Sequence, residues 1–292
     1  MSKTAFLGLL SLALFSISPF LHSKSSFPAR GFAKILTKEE ALHRLERYRN
    51  FLTRDLSQEP HHQAYALRFR FRHMPRRGEE VIRGGTLSGL ALGHGTTRID
   101  LDPTEGQKES LSILMQNSAQ PKAWRHVGDG EKALELDSVE LLQPLIPGMN
   151  QSPFDLLMPF VFWEGTYEKS GRVAGRPAHV YGFSFPNWVV ENRPTWKRIT
   201  LAIDDQYEAP LKIEIFSSRS VPHKTFLLNS LKKINSTWIV KTLDCKDRTE
   251  RSNTRFEVLS AALQLDLDPI IFTPAGLERK LVVPEEAFIS AQ

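Results

Sequence analysis

Only one cysteine, Cys245, occurs among the 292 residues. A lone cysteine excludes an intramolecular disulfide. Its distance from the N-terminus also excludes lipid attachment to a cysteine just after a leader. Charge of one sign is scarce too: 38 basic residues against 33 acidic ones leave a net charge of +5. No dense basic block is present, so nucleic-acid binding is not expected, whereas transient contact with an anionic membrane is compatible with the mild excess. Hydrophobic runs of the roughly 20 residues that a membrane span needs are missing. The longest run, Ala5 to Ile17, follows Lys3 and precedes Pro19 and the polar stretch Ser23-Lys24-Ser25-Ser26. It reads as a cleaved secretory signal over residues 1–23, with Ser16-Ile17-Ser18 and Ser23 as the candidate cleavage positions.

Catalytic signatures are equally thin. There is no G-x-S-x-G elbow, no P-loop and no H-E-x-x-H, and Cys245 has no reactive-cysteine signature around it. His61-His62 is a pair in a polar loop with no third ligand at supporting spacing, and a solvated reading is preferred to a metal site. Asp100, Asp102 and Glu105 alternate outward on a strand that runs into a turn, which again describes a solvated face. The expectation is a protein that is not an enzyme.

What is present is alternation. Thr37-Lys38-Glu39-Glu40 is a capping box, and Ala41, Leu42, Leu45, Tyr48 and Leu52 recur at helical spacing, which predicts a helix over Thr37 to Leu56. The period then changes from 3.6 to 2. Tyr65, Leu67, Phe69 and Phe71 alternate with Ala66, Arg68, Arg70 and Arg72; His179 to Phe185, Ile199 to Ile203 and Leu211 to Ile215 repeat the pattern. Further strands are expected at Thr86 to Leu92, Thr97 to Leu101, Lys132 to Leu136, Phe226 to Ile234, Trp238 to Leu243 and Asn253 to Leu265. Turns are expected at Gly84-Gly85, Gly128-Asp129-Gly130, Asp204-Asp205 and Asn235-Ser236. The predicted fold class is mainly β (α+β): one domain over residues 24–292, a leader from Lys24 to Ile35, and about ten antiparallel strands wetted on one face. Leu141 to Phe162 departs from this pattern, because Pro144, Pro147, Pro153 and Pro159 break an apolar stretch into pieces. Ser152-Pro153-Phe154-Asp155 has the composition of a helix start.

One long helix and one short one cannot roof ten strands spaced about 4.8 Å apart, so the sheet must curl on itself or leave an apolar cleft. The residues expected to line such a cleft are Phe69, Phe71, Leu87, Ile99, Tyr181, Phe183, Leu201 and Ile213, with Phe154 and Leu157 on the proline-broken cover. An acyl chain would suit them, since each buried methylene contributes about 0.8 kcal/mol. The stripe Arg68, Arg70 and Arg72 has two readings, contact with phospholipid headgroups or a charged outer strand face that discourages edge pairing. Asn235-Ser236-Thr237 matches a glycosylation sequon and is read as a bare turn.

The order of these features resembles the LolA-type periplasmic lipoprotein carriers and the broader group of outer-membrane lipoprotein-sorting proteins. The resemblance rests on Gly85-Thr86-Leu87, Thr97 to Pro103, Asp129 to Leu136, the segment Ser152 to Leu157, Gly171 to Phe185, Ile203-Asp204 before Leu211 to Glu214, Thr254 to Val258, and Ile271-Phe272-Thr273-Pro274 with Leu277. It implies an incomplete β-barrel covered by an N-terminal helix and a short lid helix. It further implies that lipoprotein acyl chains or phospholipid bind in the hollow and move toward the outer membrane between an inner-membrane donor and an outer-membrane acceptor, without cofactor, metal or ATP. One departure stands out. Where the family carries an Arg-Pro pair that ties barrel to lid, this chain has Gly93-His94-Gly95, and Arg98 nearby is the substitute candidate for a lid latch. The same fold also serves as an envelope sensor or protein-interaction module, which is the alternative expectation.

Overall fold

The computed structural model describes residues 33–56, 63–103, 110–128, 132–146, 148–218 and 220–292. The expected signal, His61-His62, Glu105 and the Asp129-Gly130 turn lie outside the described residues.

The first helix, α1 (Lys38–Leu52), begins where its capping box dictates. Thr37 Oγ1 accepts the Glu40 N–H and Glu40 Oε2 accepts the Thr37 N–H, which satisfies two donors that would otherwise be orphaned. It ends at Leu52 and not at Leu56. Ala41, Leu45, Tyr48 and Leu52 are buried, but Leu42 lies off that stripe and is exposed.

Six strands follow as a meander: β1 (Ala64–Met74), β2 (Val81–Gly89), β3 (Thr96–Leu101), β4 (Leu111–Gln116), β5 (Lys122–Val127) and β6 (Leu134–Glu135). After a connecting segment that carries α2 (Pro153–Leu157), the chain resumes as β7 (Gly165–Val173), β8 (Arg176–Phe183), α3 (Asn187–Asn192), β9 (Arg198–Asp204), β10 (Pro210–Phe216), β11 (Pro222–Ile234), β12 (Thr237–Asp247), β13 (Ser252–Leu265) and β14 (Ile289–Ser290). All fourteen strands belong to one antiparallel sheet of spatial order β6-β5-β4-β3-β2-β1-β13-β12-β11-β10-β9-β8-β7, with β14 beside β13. The sheet is curved and not closed, because β6 and β7 are its two ends and do not pair. The topology has a direct consequence. Residues 136–164 join the two opposite edges of the sheet, so this proline-broken segment must cross the open side and becomes its cover.

Alternation sorts the faces as expected. Phe69 and Phe71 are buried on the concave side, whereas Arg68, Arg70 and Arg72 point outward. Each arginine of that stripe has an acidic partner. Arg68 is held in a two-pronged ion pair with Glu285, Arg70 lies 2.9 Å from Glu257, and Arg72 Nε lies 2.6 Å from Glu80. These pairings favour the charged outer strand face.

Other expectations are corrected. β4 and β5 were not anticipated, the strand expected over Lys132 to Leu136 shrinks to two residues, and Gly84-Gly85 lies inside β2 instead of forming a turn. A Cβ at Gly85 would stand 2.4 Å from the Asp100 carbonyl oxygen and 3.1 Å from the Phe69 ring, so close packing is what demands glycine there. The turns at Asp204-Asp205 and Asn235-Ser236 do fall between strands. In the latter both residues have positive φ, 46° and 69°, as a two-residue hairpin loop of the primed type needs.

Candidate functional site: the lid over the concave face

The cover starts with a second capping box. Ser152 Oγ accepts the Asp155 N–H and Asp155 Oδ2 accepts the Ser152 N–H, with Pro153 at the first helical position. After one and a half turns Met158 takes a left-handed conformation (φ 54°), and Pro159–Phe162 forms a 3-10 turn. The result is a compact hook with Phe154, Leu157 and Phe160 all buried. Phe154 sits at its centre, with ring centroids 6.4 Å from Phe160, 6.1 Å from Trp163, 6.2 Å from Trp188 and 5.7 Å from Trp196. Phe160 reaches the sheet at Phe183, 5.5 Å away.

All ten residues expected to line a cleft are brought together. Phe69, Phe71, Leu87, Ile99, Phe154, Leu157, Tyr181, Phe183, Leu201 and Ile213 lie in one continuous apolar cluster, each no more than 2% exposed. The hollow is filled, however, by α1 and by the rings of the hook. None of the ten residues lines either of two clefts beside the lid, one of about 600 Å³ near Trp196 and Lys224 and a small one of about 80 Å³ near Ile113 and Pro153.

Arg98 does not touch the lid. It is buried on the outer face, where it pairs with Asp100 at 2.8 Å and donates to the carbonyls of Ile271 (3.2 Å), Gly276 (3.1 Å) and Arg279 (2.7 Å). It therefore fastens the C-terminal segment, whose Ile271, Phe272 and Leu277 pack on Leu114 and Trp124.

The contacts that hold the lid come from residues that sequence patterns left unmarked. Arg49 on α1 donates Nε to Val161 O and Nη2 to Trp163 O, both at 2.6 Å, and Trp163 Nε1 donates to Ala119 O at 3.0 Å. At the other end of the hook the Lys224 ammonium lies 2.5 Å from Asp155 Oδ2, with both residues at least nine-tenths buried. Burial works against the Lys224 charge, but the Asp155 carboxylate outweighs it and raises the ammonium above its ordinary value. Burial pushes the neighbouring Cys245 thiol up, which makes it an inert thiol. Just before the hook, Asn150 donates Nδ2 to Cys245 O (3.0 Å) and accepts from Ser252 Oγ (2.8 Å), while its N–H donates to Thr254 Oγ1 (3.2 Å). The Thr254 hydroxyl can then donate to His73 Nδ1, 2.7 Å away, which suits a neutral ring; burial lowers the His73 pKa accordingly. Asp155 alone carried a sequence signal, as the third residue of a capping box; Arg49 and Lys224 sit in ordinary amphipathic positions.

The architecture matches known folds. Structures that resemble this one include an outer membrane lipoprotein-sorting protein domain from Vibrio parahaemolyticus (TM-score 0.62, 13% identity, covering 80% of this chain and 97% of that one). A DUF1329 family protein from Desulfovibrio piger resembles it too (TM-score 0.60, 11% identity, covering 81% and 97%). A LolA superfamily protein from Nitrosomonas europaea gives a TM-score of 0.55 at 13% identity, covering 82% and 98%. The chain thus has the LolA-like fold, an unclosed antiparallel barrel under a helical lid. By sequence, residues 167–279 match a family model described only as an uncharacterized protein, and no curated protein matches. Among the described residues no group of three metal-ligating side chains occurs, and no helix is long and apolar enough to cross a membrane.

Proposed function

We propose that this protein is a periplasmic carrier that binds lipoprotein acyl chains or phospholipid between its concave sheet face and the hook over residues 152–163, and moves them toward the outer membrane. The observation that carries the reading is the composition of the filling. The concave face is mainly apolar, and what occupies it opposite Phe183 is a short hook instead of a second sheet. The magnitudes allow exchange. Three displaced lid rings forfeit about 1.5–3 kcal/mol each, whereas a chain of a dozen methylenes gains about 10 kcal/mol on leaving water. The apolar part of the exchange is thus near balance, which suits both capture and release. Handing over between an inner-membrane donor and an outer-membrane acceptor needs nothing from the chain beyond this exchange.

The test is to isolate the protein from its native envelope and examine organic extracts by mass spectrometry. The carrier reading expects acyl-bearing species at a reproducible stoichiometry. A consistently empty protein that also fails to displace a fluorescent fatty acid would sink it. The filled hollow favours one second reading, an envelope sensor or interaction module that presents its closed lid to a protein. In-cell crosslinking separates the two: many transient lipoprotein adducts mark a carrier, one persistent protein adduct a sensor.

A further inference from the structure

One open cleft, which does not border the ten concave-face residues, adjoins the ionic anchor of the lid. We infer that this cleft, about 600 Å³ between the Leu142–Asn150 approach to the lid, the loop after α3 and the starts of β11 and β13, binds the anionic head of a single-chain amphiphile, a carboxylate or a phosphate monoester, with Lys224 as its cationic partner. The inference rests on the carrier reading and deepens it, because it names the ligand's head chemistry and the way that head loosens the lid.

Three observations converge. First, Lys224 lines the cleft and its ammonium also holds Asp155 on the lid, so one residue borders both the open space and the hook. An ammonium has three donors, and among the described residues only its bond to Asp155 is made to another side chain, so a second anion entering the cleft meets a desolvated cation with donors to spare. Second, the cleft wall is amphipathic. Met149 and Trp196 are buried apolar residues on it, and the Trp196 ring lies 5.7 Å from Phe154, so a chain whose head rests at Lys224 runs along Trp196 directly to the centre of the lid plug. Third, the neighbouring groups permit an anion. Burial lowers the pKa values of His73 and His223 on the cleft wall, which favours their neutral forms. The Asp247 carboxylate is turned into its own β-turn, where Oδ1 accepts the Thr249 and Glu250 N–H groups. Only Glu250 presents a free carboxylate, at the exposed rim, where water screens it.

The consequence is competition. Asp155 and the ligand's head contend for the same ammonium, so arrival of the head weakens the bond that pins α2, and the chain enters where the hook leaves. A neutral or zwitterionic head lacks this lever.

Competitive displacement of a fluorescent twelve-carbon fatty acid tests the inference, with lysophosphatidic acid, lysophosphatidylcholine of equal chain length, and inorganic phosphate as competitors. In the unaltered protein lysophosphatidic acid should compete about tenfold better than lysophosphatidylcholine, the factor that one charge-assisted hydrogen bond supplies. Asp155→Asn, which removes the competing charge but keeps an acceptor for the Ser152 N–H, should widen the ratio. The double substitution Lys224→Met with Asp155→Leu, which leaves no buried charge unpaired, should erase it while lysophosphatidylcholine still binds. Equal affinity for both lipids in the unaltered protein, or a ratio that survives the double substitution, overturns the inference and leaves the carrier reading standing. Inorganic phosphate that binds as tightly as lysophosphatidic acid also overturns it, in favour of a free-phosphate site. Failure of every amphiphile to displace the probe refutes the carrier reading itself. If the double variant does not fold, the Asp155→Asn arm decides alone, an unchanged or narrowed ratio being the negative result.

Discussion

Replacing Asp155 by alanine strands the Lys224 ammonium in a site where that residue is 7% exposed and Asp155 3%. Breaking a buried pair from one side costs about 3–5 kcal/mol, because the survivor keeps its desolvation penalty and loses its partner. Asp155 also closes the capping box of α2, which adds about 1 kcal/mol. Lys224→Met alone should cost a similar 3–5 kcal/mol by leaving the carboxylate uncompensated. If the two sites were independent, the double variant Asp155→Leu with Lys224→Met would lose roughly 7–11 kcal/mol, more than a marginally stable domain can spare. Instead it should lose only about 1 kcal/mol, the cap, since apolar replacement of a whole buried pair is near neutral. Urea unfolding followed by tryptophan fluorescence, with linear extrapolation, measures the cycle. A coupling energy of several kcal/mol is expected. Single and double losses that simply add would refute the pair as the ionic anchor of the lid.

Three further outcomes follow from the same geometry. Arg49→Ala removes two charge-assisted bonds to the Val161 and Trp163 carbonyls; hydrogen exchange over residues 158–164 should speed up by one to two orders of magnitude, roughly the 1.5–3 kcal/mol such bonds supply, while β1 and β13 keep their protection. His73, His179 and His223 all have pKa values lowered chiefly by burial, so the unfolded chain binds more protons than the folded one in mild acid. Stability should hold above the ordinary histidine value of about 6.5 and fall as pH drops below it, with the loss levelling off once pH passes the lowered folded values; denaturant midpoints at pH 7.5 and 5.0 check the sign. Lys224 moves the other way: its contribution is fully present below the ordinary lysine value of about 10.4 and is lost as pH rises through the raised folded value. Ser236→Gly relieves a left-handed serine in the β11–β12 hairpin (φ 69°) and should stabilise by about 1 kcal/mol, read as a rise in the urea midpoint at constant slope.

How much of this could be read from residue patterns depends on what each residue's environment is made of. α1 was legible because Thr37 and Glu40 satisfy one another locally, and β1 because its two faces meet different media, core on one side and water with ion pairs on the other. β4 was not legible for the opposite reason. Leu111–Gln116 shows no alternation, since its inner residues Ile113 and Met115 face the core while Leu114 is buried under the C-terminal segment on the outer face. The glycine pair in β2 mimics a turn, but its cause is the Phe69 ring and the Asp100 backbone on neighbouring strands. The apolar half of the site was foreseeable by the same alternation that marks strands, and those ten residues do converge. Its polar half was not. Lys224 falls just before the strand expected from Phe226, and Arg49 reads as a basic residue on the polar side of a helix. Their roles come from Asp155, which is 69 positions away from Lys224, and from lid carbonyls more than a hundred positions from Arg49. Arg98 shows the converse error: a motif's neighbourhood suggested the lid, whereas the sheet's pleat turns that side chain to the outer face.

The most direct measurement is hydrogen exchange across the hook with and without saturating myristate. Exchange at residues 153–163 should accelerate when the chain binds, as Phe154 and Phe160 leave the concave face, while the amides of β1 and β13 stay protected. Binding that leaves the hook fully protected would contradict the exchange of lid rings for an acyl chain.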